Sequence, residues 1–257
     1  VPSSRSLRLS ACRKTMRVEN DTRHPGDGPP STDTSAFSGS SDSVYRPAKS
    51  WGQRLPQAFY ARPVIQVARE LVGCVLVRML DDGRTLAGRL VEVEAYLGDG
   101  SDPSSHSHSG NSPRCRSRFG PPGRLYAYRS YGIHTCVNAV CEAKGSGAAV
   151  LFRAAEPLLG IETMRVHRGL PATATGRAIA SGPGRLAQAF GLGIEDAGIS
   201  LLRPALGVYR PSTSEETREV LAGPRVGISR ARALPYRFFL EAHPLVSGRR
   251  TATRQSA

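Results

Sequence analysis

Two apolar runs separated by an Asp-Gly pair place the strongest constraint on how this chain can fold. Residues 74–80 read CVLVRML, a branched, apolar run suited to a strand. Asp82-Gly83 follows, the residue pair of a tight hairpin turn. From about Thr85 the chain returns into LVEVEAY, residues 90–96. Strands joined by so short a turn run antiparallel. Alternate side chains of a strand share a face. That predicts Leu90, Glu92, Glu94 and Tyr96 on one face, and Val91, Val93, Ala95 and Leu97 on the other. The second is an ordinary core face. The first gathers two carboxylates and a phenol.

The remaining pattern extends this hairpin into an α+β domain: one curved, mostly antiparallel sheet with helices around it, over residues 51–247. Pro63 opens a helix to Leu71, with Gly73 just past its end. Residues 124–132, parts of 133–140, and 148–154 read as strands; 159–167 and 184–190 read as helices. Ser181-Gly182-Pro183 is a cap signal for the second of these. Short late strands are expected near 225–228 and 236–240. Residues 1–50, rich in Ser, Arg, Pro and Gly, read as a disordered basic leader, and 248–257 as a disordered tail. Met16 offers an alternative start within that leader.

Charge narrows the partner. The chain carries a formal +14, most of it between residues 51 and 247. This favours a polyanion, nucleic acid before an anionic membrane. No run of eighteen apolar residues exists, so no transmembrane helix is expected. The cysteines are odd in number, without a CxxC, which suits a reduced intracellular protein. That means the cytoplasm and nucleoid of a bacterium, or a nucleus in a eukaryote.

Four groups of residues could carry chemistry. Glu92 or Glu94, turned toward a basic cleft, would suit a general base; either could equally be an ion-paired or solvated strand residue. Tyr126, Tyr128 and Tyr131 stand among arginines, a pattern fitting base stacking or a half-buried strand. The loop 101–123 holds His106, His108 and Cys115, whose spacing matches no structural zinc pattern, so no metal is expected. Arg114, Arg116 and Arg118 there, and Arg124 just after it, read as exposed phosphate contacts. Arg153, inside AAVLFRAAEP, needs a buried partner.

Taken together, GRLVEVEAYLG, SDPSSH, FGPPGRLYAYRSYGIHTCVN, AVLFRAAEPL, SGPGRL and RVGIS occur in the order found in alkyladenine DNA glycosylases of the 3-methyladenine type, and the chain resembles that family over roughly residues 55–247. The resemblance implies a cofactor-free enzyme of base excision repair. It would flip an alkylated or deaminated purine out of double-stranded DNA and hydrolyse the N-glycosidic bond. On this reading Glu94 is the general base, Arg153 and the Val226 carbonyl hold its water, and Tyr96, His106 and Tyr128 wall the flipped base. Asn138 excludes guanine's exocyclic amine, and Tyr131 is the wedge that fills the vacated stack. Glu92 is left without a role. Lys144 is the only lysine between residues 51 and 247, so a Schiff-base amine is scarce and a monofunctional enzyme is expected; one flipped base needs one pocket, so a monomer is expected. Where the family usually has Asn after Pro-Arg, Cys115 stands, which predicts a looser loop around His106. The competing readings are a non-catalytic nucleic-acid binder and a metal-dependent hydrolase.

Overall fold

Strand β2 (Thr85–Tyr96) organises the molecule, because three other strands pair with it. The computed structural model describes residues 51–108, 110, 112–212 and 218–247; the expected leader and tail lie outside them. The first half of β2 pairs with β1 (Val75–Met79) across the predicted turn, where Gly83 has φ +84°. Its second half pairs on that edge with β9 (Arg237–Leu240), and its other edge carries β5 (Ala148–Leu159). Beyond β5 lie β4 (His134–Cys141) and β3 (Leu125–Ser130). Beyond β1 lie β7 (Leu206–Tyr209) and β6 (Leu202–Arg203), while β8 (Val220–Gly223) pairs with β9. All of these pairings are antiparallel, and the expected α+β class holds.

Two irregularities in the β2–β5 ladder set the active face. Between Leu90 and Glu92 the partner advances only from Ala155 to Ala154, leaving Val91 as an extra residue. Between Ala154 and Phe152 the extra residue is Arg153. Such bulges bend a strand and re-aim its side chains. Leu90 therefore joins Val91, Val93 and Ala95 in the main core and does not share the face of Glu92 and Glu94, as strict alternation had predicted.

Helices cover the core. Short α1 (Gln57–Tyr60) precedes α2 (Val64–Leu71), which buries Val64, Val67, Ala68 and Leu71 against β2 and β5. A group of three follows β5: α3 (Ile161–Arg168), α4 (Gly176–Ala180) and α5 (Pro183–Ala189). Gly160 separates β5 from α3 with φ +72°, and a Cβ there would strike Leu86 and the Thr85 carbonyl, so both backbone and space require glycine. Helix α5 packs on β4 and β5. Its entrance falls in the expected cap region: Gly182 is the N-cap with Pro183 in the first turn, while the Ser181 hydroxyl donates to the Leu245 carbonyl at 2.7 Å. The strand expected at 225–228 is a loop. Pro224 has no N–H for a ladder, and the Val226 N–H is committed to a side chain of β2.

Candidate active site

Glu94 is fully buried, and three groups converge on its carboxylate. The Val226 N–H donates to Oε1 at 2.7 Å, the Tyr96 hydroxyl donates to Oε2 at 2.9 Å, and Arg153 Nη1 lies 3.2 Å from Oε2. Burial pushes the Glu94 carboxyl up, and Arg153, the Val226 amide and Tyr96 offset this only in part. Burial works against the Arg153 charge too, yet Glu94 and Glu92 outweigh it and raise its pKa. The guanidinium stays charged and the carboxylate is held short of full stabilisation. Such a group is more basic than an exposed glutamate.

Above this pair lies a cavity of about 680 Å³, large enough for a purine nucleotide. Tyr96, His106, Tyr128, Asn138, Arg153, Val226 and Tyr131 all line it, so the folded chain brings together all but one of the proposed catalytic, pocket and wedge residues. The exception is Glu94, which sits behind the floor that its three partners form. The Val226 N–H is spent on Glu94, which brings this backbone to the cavity floor where the resemblance implies that its carbonyl contacts the water. His106 stands at right angles to Tyr128, ring centroids 4.5 Å apart, and its Nδ1 is 3.0 Å from the Tyr126 hydroxyl. Tyr126 itself is fully buried and stacks beneath Tyr128 at 5.5 Å, supporting the wall without lining the cavity. Asn138 is buried and donates Nδ2 to the Tyr126 carbonyl at 3.0 Å, which fixes its amide at the cavity edge.

Tyr131 is 84% exposed, with φ +51°, and Gly132 follows at φ +73°. Two consecutive left-handed residues form the turn between β3 and β4, a geometry that usually selects Asn or Gly. A tyrosine there costs on the order of 1–2 kcal/mol of backbone strain. Neighbouring Ile133 is also exposed, at 72%. The hairpin tip thus presents two large apolar side chains to solvent beside the cavity mouth.

The four arginines expected on the surface divide. Arg118 is 2% exposed and is a correction: it donates to the carbonyls of Tyr96 and Gly147 and, at 2.6 Å, to the Ser105 hydroxyl. It ties the loop after β2 to the start of β5 and lines the cavity from within, so it is not an exposed surface cation. Arg116 and Arg124 are exposed, the latter donating to the Gly198 carbonyl at 3.0 Å. The Arg114 side chain lies outside what the structure describes. Cys115 is buried against Tyr126, and its sulfur accepts the Ser112 N–H at 3.3 Å, which gives the loop an anchor at this position. His108 turns away from His106 and Cys115 to the Gly100 carbonyl, 2.7 Å from Nδ1. Among the described residues no group of three His, Cys, Asp or Glu side chains is placed to hold a metal ion.

One pair was missed by sequence reasoning. Asp102 and Arg225 are buried and bonded through both arms, at 2.5 and 2.7 Å. Arg225 also donates to the Ala95 carbonyl at 3.0 Å, and its guanidinium lies 4.6 Å from the centre of the Tyr96 ring. The pair bolts the His106 loop to the Val226 loop and braces Tyr96 between them. Burial opposes the Asp102 charge, but the Arg225 fork outweighs it and holds the carboxyl below the usual carboxylate range. Both residues lie within SDPSSH and RVGIS, so the motifs held the signal, but nothing local joins residues 123 apart.

Comparison with known proteins decides the assignment. A sequence profile for methylpurine-DNA glycosylase matches residues 58–244. The chain belongs to the methylpurine-DNA glycosylase family. It is thus a DNA glycosylase, an enzyme of DNA repair. A relative from Rhodopseudomonas palustris is 48% identical over 190 residues, which is 74% of this chain and 86% of the relative. One from Methanoculleus marisnigri is 45% identical over 197 residues, 76% of this chain and 99% of its own. A third, from Chlorobaculum parvum, is 46% identical over 76% of this chain and 91% of its own. Each carries the name "Putative 3-methyladenine DNA glycosylase". No helix among the described residues is long and apolar enough to cross a membrane.

Proposed function

We propose that this glycosylase releases methylated purines, 3-methyladenine among them, and deaminated purines from duplex DNA by hydrolysis at C1′, with the nucleotide flipped into the cavity above Glu94. The observation that carries this reading is the placement of a buried, proton-accepting carboxylate directly behind the floor of an aromatic-walled cavity. In the reaction Glu94 takes a proton from a water, the hydroxyl bonds to C1′, and the glycosidic bond breaks with its electron pair passing to the purine nitrogen. Arg153 keeps Glu94 ionised and positioned. A cationic methylated purine leaves without further help, so the chain supplies mainly a basic carboxylate and a fitted pocket.

Recognition follows from the walls and the hairpin tip. Flipping costs a few kcal/mol, least for a damaged or mispaired base. Stacking on an aromatic side chain returns about 1–3 kcal/mol per base. Tyr96, His106 and Tyr128 provide that surface in the pocket, and Tyr131 fills the gap left in the duplex. Asn138, held by the Tyr126 carbonyl, crowds guanine's exocyclic amine. Among the described residues no lysine lines the cavity, and Lys144 lies exposed in the turn after β4. A monofunctional enzyme acting as a monomer and leaving an abasic site fits this set. The test incubates methylated DNA, and a duplex with one hypoxanthine, with wild type and Glu94→Gln in EDTA. Base release by wild type alone supports the reading. Release by both proteins moves the base elsewhere, and inhibition by EDTA restores the metal-dependent alternative.

A further inference from the structure

The proposed reaction gives Glu92 no task, yet Glu92 is as fully buried as Glu94 and lies two residues before it on β2. Its carboxylate is densely held. The Ser247 N–H donates to Oε2 at 2.7 Å, and the Ser247 hydroxyl donates to Oε1 at 3.0 Å. Arg153 Nε donates at 2.9 Å, and Arg237 Nε lies 3.3 Å away. Arg153 is therefore shared: Nε serves Glu92, Nη1 faces Glu94, and Nη2 donates to the Ser247 hydroxyl at 3.1 Å. A guanidinium binds a carboxylate most strongly through two parallel N–H bonds. Glu94 receives only one arm, because Glu92 and Ser247 occupy the other two nitrogens.

We infer that Glu92, anchored by Ser247, is a positioning residue that holds Arg153 off a two-armed grip on Glu94 and so preserves Glu94 as a proton acceptor. The inference rests on the assignment of Glu94 as the base. Several groups bear on Glu94: Glu92 and Tyr96 on its own strand, Arg153 on β5, Arg237 on β9, and Arg225, paired with Asp102, in the loop before Val226. Tyr128 on β3 and Cys136 on β4 face it from the cavity side. Among the described residues Arg153 is the cation paired with both carboxylates, so loss of the Glu92 charge removes the partner that competes with Glu94 for it. Arg237 makes the cluster neutral, two guanidinium groups against two carboxylates. The geometry depends on the Arg153 bulge, which sets its side chain between two carboxylates on a neighbouring strand.

The experiment follows single-turnover base release from methylated DNA across pH, because a cationic purine needs no proton to leave and the acid limb then reports the base. Glu92→Gln should let Arg153 close on Glu94. The acid limb moves down by about one pH unit, and the plateau rate falls by about three- to tenfold as the carboxylate loses basicity. Glu92→Gln combined with Arg237→Met restores charge balance and should show the same shift. Ser247→Ala, which keeps every charge, should shift the limb in the same direction by less. Thermal melting identifies the folded variants, and if neither Glu92 variant folds, Ser247→Ala decides. A merely structural Glu92 lowers the melting temperature and leaves the limb in place. An unmoved or upward-moved limb in a folded variant overturns the inference. Glu94→Gln runs alongside: full activity there would instead overturn the assignment of the base.

Discussion

The floor and the rim of the cavity are built on opposite principles. At the floor and just behind it, Arg153, Glu94, Glu92 and Arg237 are withdrawn from water and joined by short contacts across β2, β5 and β9. At the rim, Tyr131 and Ile133 project into solvent from a strained turn, with the exposed Arg116 and Arg124 elsewhere on the surface. Charge inside a low-dielectric region acts strongly but needs fixed partners. Apolar groups that must enter a DNA stack gain from staying uncovered until they bind. The contrast assigns chemistry to the floor and capture to the rim, and substitutions in the two regions should therefore fail in different ways.

The largest expected effect is at the floor. Glu94→Gln should lower single-turnover base release by about 10²–10⁴-fold while DNA affinity is kept. A loss of affinity of the same size would erase the division between floor and rim. The same carboxylate gives wild type its acid limb. Only ionised Glu94 accepts a proton, and burial raises its pKa, so activity should rise with pH through a midpoint above the ordinary glutamate value of about 4.3. A midpoint at or below that value would mean Arg153 dominates over burial.

Next comes the bolt between the two loops. Asp102→Asn leaves Arg225 buried and charged, and breaking such a pair costs about 3–5 kcal/mol. Urea unfolding checks this directly. Because the Asp102 pKa is lowered in the folded state, its contribution is present above the unfolded pKa of about 3.9 and is lost as pH falls through the folded value. The variant should accordingly lose part of the wild type's acid sensitivity.

At the rim, Tyr131→Gly should separate stability from function. Glycine relieves the left-handed strain, raising stability by about 1 kcal/mol in denaturant titration. Release of hypoxanthine from a stable duplex should fall about tenfold, since one lost stacking contact is worth about 1–3 kcal/mol. A variant both more stable and fully active would remove Tyr131 from the wedge role. The smallest effect is expected for Arg116→Ala, which should weaken binding evenly across sequences and reduce the salt-dependence slope by about one. Arg118→Ala should instead destabilise the fold, as Arg118 is spent on internal carbonyls.

Much of this molecule is legible in the chain because the signals are local. Asp82-Gly83 and the runs beside it specify the β1–β2 hairpin within about twenty residues. The breaks at Pro63 and Gly73 delimit a helix through backbone constraints carried by single residues, whereas Gly160 lies inside the span 159–167 that reads as helix and proves to be its N-cap. Motif order was enough to mark Glu94, Tyr96, His106, Tyr128, Asn138 and Arg153 as a set, and the fold brings all but Glu94 to the lining of one cavity, with Glu94 bonded behind it.

Other features depend on partners far along the chain. Arg118 reads as a surface cation until Gly147, 29 residues away, and the Tyr96 carbonyl are seen to receive it. Cys115 reads as a weak substitute until its burial against Tyr126 is known. Leu90 leaves the face that period-two reasoning assigns to it because a bulge, set by how β2 meets β5, interrupts the alternation. The sequence alone determined which residue types would meet in an antiparallel α+β frame, since turn chemistry and periodicity act over a few bonds. Tertiary structure alone decided which charges are buried, which arginine is shared between two carboxylates, and which tyrosine is left strained and exposed. Those outcomes depend on desolvation and on hydrogen-bond partners that only folding brings into reach.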